Sequence, residues 1–311
     1  MKRREFLARS VAGLGSIFLT SKVAFGQEAG RKFYDPYEIV ELGKTKIKVS
    51  LLGLGTGMNG WNRQSNQTRL GEKKFTALIR ACAERGITLL DSADMYGSHP
   101  YLVPAMKDIP REKYVIVSKM WLNRNGLDGE SRDPKVLIWR FLKELKTDYI
   151  DLLQLHCITD GNWNTKMSDA MTDMDNFKKK GIIRAHGLSC HSLKALKTAA
   201  EEPWVDAVHA RINAYGDHMD PAGPGEVEEV LKELHEAGKG VIGMKLVANG
   251  EYRDWPEMRA KSIEYVLHLG SVDTMVVGFE KLAEIDDFAA MIRKVEKKSP
   301  TTDLTLVSAN S

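Results

Sequence analysis

The chain has 311 residues, 43% hydrophobic and 28% charged, with a net charge of +3. That suffices for one large core, since a single α/β barrel typically takes about 250 residues. Basic and acidic residues interleave without a basic, aromatic-laced block, and the three cysteines form no CxxC pair, so neither a nucleic-acid partner nor a metal or disulfide framework is expected.

The first residues look like an address label. Met1-Lys2-Arg3-Arg4-Glu5-Phe6-Leu7 is a twin-arginine pattern, the run SVAGLGSIFLT is mildly apolar, and Val23-Ala24-Phe25-Gly26 offers small residues for cleavage after Gly26. A signal peptide over 1–26 is therefore expected, with the twin-arginine export machinery as partner and a periplasmic or exported bacterial protein as the outcome. The apolar run is too short and glycine-rich for a stable membrane span. Residues 27–37 form a polar linker, and one domain is expected over 38–311.

YEIVELGKTKIKVS contains two alternating runs around Gly43-Lys44, a hairpin able to close the bottom of a barrel. From Leu51 the pattern is regular. Short apolar strands are predicted at 51–55, 87–91, 114–119, 149–155, 182–187, 206–210, 240–245 and 272–277. Helices are predicted between them at 72–85, 101–107, 134–146, 167–180, 192–200, 225–237, 256–268 and 281–296. Gly181 and Gly270 stand where helices end in a left-handed residue, and Asp133-Pro134 and Ser192 are helix-start signals. Eight such units predict parallel strands buried on both faces. An open doubly wound sheet is the other arrangement available. A closed (β/α)8 TIM barrel is expected instead, because closure leaves no edge strand. KKSPTTDLTLVSANS is a polar tail.

Three successive strands end on a polar group: Asp91, Lys119 and His156, with Tyr96 five residues past the first. Taken singly, each has an ordinary explanation as a turn cap, a solvated strand end, a core ring or a satisfied histidine. Together they predict a ring of strands delivering reactive groups to one rim, the C-terminal face where barrel chemistry sits.

Residues 145–156 (LKTDYIDLLQLH), Asp91-Ser92-Ala93-Asp94-Met95-Tyr96-Gly97 and Val117-Ser118-Lys119-Met120-Trp121 resemble the aldo-keto reductase signature, and the resemblance spans about residues 38–287. It implies hydride exchange between NADP(H) or NAD(H) and a carbonyl or alcohol. Tyr96 would be the general acid, its pKa near 10 lowered by Lys119. Asp91 would hold Lys119, and His156 would orient the carbonyl oxygen. Cofactor contacts implied by the resemblance are Gly55, Thr56 and Gly57; Ser189 and Cys190, the latter standing for the usual Asn; His209 for the usual Gln; Met244 for the usual stacking aromatic, followed by Lys245; and Gly278, Phe279 and Lys281. A lone lysine near Glu284 in that last stretch weakens the case for NADPH over NADH. Trp121 matches a pocket tryptophan, and Trp61 and Trp163 are candidates to line the same rim. The alternative is a weakly catalytic or non-catalytic barrel serving as a sensor or partner subunit; an epimerase or lyase on the same fold is a third possibility. His156-Cys157 and Cys190-His191 follow neighbouring strands. Side-chain alternation argues against a metal there, and two small buried thiols are favoured over a Cys157–Cys190 disulfide.

Overall fold

The computed structural model describes residues 32–298, except 124, 126, 221 and 222. The predicted signal peptide over 1–26 and the tail beyond 298 lie outside the described residues. An antiparallel pair, β1 (Ile39–Glu41) and β2 (Lys48–Ser50), precedes eight parallel strands. These are β3 (Leu52–Gly55), β4 (Leu89–Asp91), β5 (Val115–Met120), β6 (Ile150–Ile158), β7 (Ile183–Cys190), β8 (Ala207–Arg211), β9 (Gly240–Met244) and β10 (Thr274–Val277). Each pairs with its neighbour in sequence, and β10 pairs with β3 to close the barrel. The fold is the (β/α)8 barrel.

The main helices are α1 (Glu72–Glu84), α2 (His99–Ala105), α3 (Pro134–Leu145), α4 (Trp163–Lys166), α5 (Ser168–Lys179), α6 (Leu193–Glu201), α7 (Pro224–Glu236), α8 (Pro256–Leu269) and α9 (Leu282–Ile292). Local chemistry sets several ends. Asp133 accepts from the Lys135 amide (2.9 Å) with Pro134 in the first turn of α3, and Ser192 accepts from the Ala195 amide (3.1 Å) at the start of α6. Gly270 ends α8 in the left-handed conformation.

Two departures from the predicted elements shape the rim. β6 runs on to Ile158 and β7 to Cys190, three residues beyond the predicted ends. Their register shifts between Leu155 and Ile158, and Cys157 takes φ 56°. That bulge turns the chain just after His156.

Alternate strand residues point inward. At the N-terminal end Leu89, Val115, Val117, Leu152, Ala185, Ala207, Ile242 and Val276 pack with Leu42, Ile47 and Val49 of the hairpin. The Lys44 amide donates to the Gly238 carbonyl (2.8 Å), and the Asp273 carboxylate accepts from the Gly43 and Val241 amides (3.2 and 2.8 Å). The hairpin therefore plugs the bottom, as its position predicted. Fully burying each of the three aliphatic side chains is worth about 1.5–3 kcal/mol. A layer higher the inward residues become polar: Asp91, Lys119, Gln154 and His209, all buried.

Candidate active site

β4 and β5 bring Asp91 and Lys119 together. The Lys119 ammonium donates to the Asp91 carboxylate and to the Ser92 carbonyl (3.1 Å), and His209 Nε2 lies 3.2 Å from Asp91 Oδ1. Burial raises the Asp91 carboxyl, but the Lys119 ammonium and the His209 imidazole outweigh it and hold it well below the usual carboxylate range. Burial draws the Lys119 ammonium down, with Asp91 opposing.

Tyr96 follows on a single 3-10 turn (Asp94–Tyr96) that Gly97 ends at φ 65°. The Asp94 carboxylate fixes this turn by accepting from Arg63 Nε (3.1 Å) and from both Arg140 terminal nitrogens (3.0 and 2.6 Å). Arg140 also reaches Glu144 (2.9 Å), which holds His99 Nδ1 (2.7 Å). His99 Nε2 meets the Ser118 hydroxyl (2.9 Å), beside Lys119 in sequence. One polar chain thus ties the turn carrying the phenol to the strand carrying the amine.

The Tyr96 oxygen lies 3.3 Å from His156 Nε2, with the rings edge to face. The Lys119 ammonium sits 5.1 Å from the Tyr96 ring centroid. Burial pushes the phenol well above its ordinary value, and Asp91 and Cys157 add to the rise. The expected lowering by Lys119 is thus corrected. The ammonium is spent on Asp91, so the pair offers the phenol little net positive field. Burial, with help from Lys119 and His191, drives His156 well below 6.5, so its ring is neutral and acts through an N–H or a lone pair.

Trp121 meets His156 in a T-shaped contact (centroids 5.4 Å), and half-exposed Trp61 packs on Trp121 (5.7 Å), so two of the three predicted tryptophans reach the mouth. Trp163 does not. It is fully buried on α4, donates to the Ala195 carbonyl (3.2 Å) and lies 6.1 Å from Trp204, stapling its loop to α6.

The first predicted cofactor segment splits by role. Gly55 faces Gly278 across β3 and β10, where a Cβ on Gly55 would sit 3.3 Å from the Gly278 nitrogen. Thr56 is buried with its hydroxyl on the Asp91 carbonyl (2.8 Å) and Ser98 (2.7 Å), which removes its side chain from ligand contact. A Cβ on Gly57 or Gly60 would run into the Tyr96 ring, so those glycines make room for the phenol. Ser189 is buried at the end of β7, 3.4 Å from His191 Nδ1, and Cys190 is a buried free thiol. His209 is drawn into the inner ring at Asp91, one layer beneath the rim, because alternation gives the rim position on β8 to Arg211. Met244 ends β9 and Lys245 follows it, both half-buried. Phe279 is buried against Phe288, and exposed Lys281 starts α9, where the Glu284 carboxylate takes the Glu280 and Lys281 amides (2.7 and 3.2 Å).

Beside Gly278 a cleft runs between Met58, Val247, Gly250, Arg253 and Phe279. Sequence reasoning missed Asp94 with its arginines, and also Arg211. The second was within reach, standing two residues after His209 and so on the same strand face.

A sequence profile of the Aldo/keto reductase family matches residues 51–262. The chain belongs to that family. The chain is 28% identical over 256 residues to aldo-keto reductase AFTS1 of Alternaria alternata, covering 71% of this chain and 68% of that one. It is 23% identical over 293 residues to L-galactose dehydrogenase of Arabidopsis thaliana, covering 83% and 89%. Among solved structures, the holo form of an aldo-keto reductase from Bacillus halodurans superposes with a TM-score of 0.68 at 19% identity, covering 85% of this chain and 93% of that one. A glycerol dehydrogenase from Gluconobacter oxydans gives 0.64 at 17%, covering 85% and 92%. At those identities the two superpositions speak for the fold alone. As a member of the family this aldo/keto reductase is an NAD(P)H-dependent oxidoreductase.

The residues present fit such a dinucleotide. The facing glycines leave backbone open to close approach, and the cleft beside them has apolar walls with two guanidiniums, Arg253 and Arg259, each already paired with a carboxylate (Glu280 at 2.7 Å, Asp287 at 2.8 Å); the buried nitrogen His156 Nδ1 and oxygen Gln154 Oε1 lack a partner among the described residues.

Proposed function

We propose that this aldo/keto reductase reduces a small carbonyl compound with Tyr96 as proton donor, and that it works outside the cytoplasm after twin-arginine export. The observation that carries the chemical part is the Tyr96–His156 contact of 3.3 Å, set directly over the buried Asp91–Lys119 ion pair. Gly55, Gly278, Phe279, Arg253 and Arg259 would hold the dinucleotide, which when bound supplies the hydride.

The rest of the work falls to the chain. Tyr96, kept protonated by its raised pKa, gives its O–H proton to the carbonyl oxygen as that oxygen gains charge. His156, neutral and in the Nε2–H form, donates to the same oxygen and aligns it. The phenolate left on Tyr96 faces Asp91, which favours its prompt reprotonation. Trp121 and Trp61 form an aromatic wall suited to a flat or apolar substituent.

Tyr96→Phe tests the assignment. Turnover of NAD(P)H with a panel of aldehydes and ketones should fall by about 10²–10⁴-fold, while dinucleotide affinity, read from tryptophan quenching, should hold. Undiminished turnover removes Tyr96 from the mechanism. The export reading rests on Arg3-Arg4 and the small residues before Gln27. Replacing both arginines by lysine should leave precursor in the cytoplasmic fraction; normal processing in that variant would refute it.

A further inference from the structure

The loop after β3 folds back on itself at a tight tip. Trp61 and Gln64 exchange amide-to-carbonyl hydrogen bonds (2.8 and 3.0 Å), and the two residues between them, Asn62 and Arg63, take φ 47° and 56°. Positive φ at both central positions marks a type I′ turn, for which Asn-Gly is the favoured pair. Asn62 suits its place. Arg63 stands where glycine would be strained least, so the reason for an arginine lies in its side chain.

That side chain joins three successive loops of the rim. Its Nε donates to Asp94 (3.1 Å), on the turn after β4, and its Nη1 donates to Glu130 (2.9 Å), between β5 and α3. The backbone of the tip is seated as closely. The Asn62 amide meets Met95 Sδ (3.0 Å), and a Cβ on Gly97 would sit 2.1 Å from the Arg63 carbonyl oxygen. The tip therefore spans the turn that carries Tyr96 and sets Trp61 against Trp121 (5.7 Å). The two ion pairs differ in what they hold. Asp94 keeps both terminal nitrogens of Arg140 when Arg63 is lost, so the Tyr96 turn has a second anchor. The pair with Glu130 ties the loop after β3 to the loop after β5.

We propose that the Arg63–Glu130 pair is a latch that selects the substrate. Closed, it holds Trp61 on Trp121, and a carbonyl compound with a flat aromatic substituent gains from that wall where a small aliphatic one does not. The inference deepens the reductase reading and rests on it for the nature of the ligand. Arg63 and Glu130 touch no reacting atom and act as positioning residues. Both side chains are about a third exposed, so the pair holds with modest strength and its loss reads as a change of a few-fold.

In the full-length protein, Glu130→Ala opens the latch, and Arg63→Gly opens it from the other side while giving the turn its favoured sequence. Hydrogen–deuterium exchange over 57–66 should rise about three- to fivefold in both variants, with exchange over 92–97 unchanged. In Glu130→Ala the KM for benzaldehyde should rise about three- to fivefold, while its kcat and the KM for propanal hold. Trp61→Ala should raise the benzaldehyde KM by itself, and adding Glu130→Ala to it should raise that KM no further, because both act through one wall. Exchange over 57–66 or a benzaldehyde KM that stays level in Glu130→Ala overturns the proposal. So does a KM that rises again by the same factor in the Trp61→Ala background, the additivity expected of a merely structural contact. Should neither aldehyde be reduced, the reductase reading falls and exchange alone decides the latch.

Discussion

At Tyr96 the decisive quantity is the field its hydroxyl feels. The phenol sits near a carboxylate whose counter-ion is already engaged, so burial and Asp91 together raise its pKa. Asp91→Asn removes the negative charge and releases the Lys119 ammonium, and both changes lower the Tyr96 pKa. The alkaline limb of the kcat/KM profile should therefore move to lower pH, along with a fall in kcat as Lys119 loses its anchor. A limb that stays put or moves up would mean that Tyr96 is not the group titrating there. Asp91, Lys119, Tyr96 and His156 were legible because each ends a strand or follows one by a few residues. His209 was read only as standing for the usual cofactor-binding Gln, and its place at Asp91 depends on which layer it occupies, which follows from the register of β8 against β7. Trp163 shows the limit of reading a loop aromatic. Its indole could face solvent or the core, and a carbonyl on α6 decided the matter.

Among the elements, the N-terminal hairpin does the work of a stopper. Leu42, Ile47 and Val49 fill the space that the short inward residues Ala185 and Ala207, together with Gly240, leave open; a Cβ on Gly240 would collide with the Leu42 side chain. Leu42→Ala should destabilise the protein by about 2–5 kcal/mol in urea unfolding while sparing kcat, because the cavity opens at the end opposite the mouth. A loss below about 1 kcal/mol would mean the plug packs loosely. The alternation of the hairpin was plain in the sequence. The bulge of β6 was not, since 149–155 ends where the apolar run ends, whereas pairing with β7 carries the strand past His156 to Ile158.

For the whole molecule, the two ends of the barrel divide stability from chemistry. Asp151 belongs to the same signature segment as His156 but lies at the start of β6, buried, accepting from Arg111 (2.6 Å), Arg184 (2.6 Å) and the Ile116 amide (2.9 Å). Asp151→Ala leaves the buried Ile116 amide without its acceptor and takes the carboxylate from Arg111 and Arg184, which keep other partners or water, and should cost about 1–3 kcal/mol of stability with kcat retained below the melting transition. A stable but inactive variant would show that the two ends are coupled. The repeated strand–helix pattern and its titratable strand ends sufficed, by themselves, for the barrel, its hairpin and the gathering of Asp91, Lys119, Tyr96 and His156 at the C-terminal end of the strands, because period and order are local properties of a chain. Only the closed tertiary structure decided that Lys119 is spent on Asp91, that Gly57 clears space for a ring and that Asp94 pins the turn of Tyr96. Each of these depends on distances between residues far apart in sequence, which barrel closure sets and no local pattern encodes.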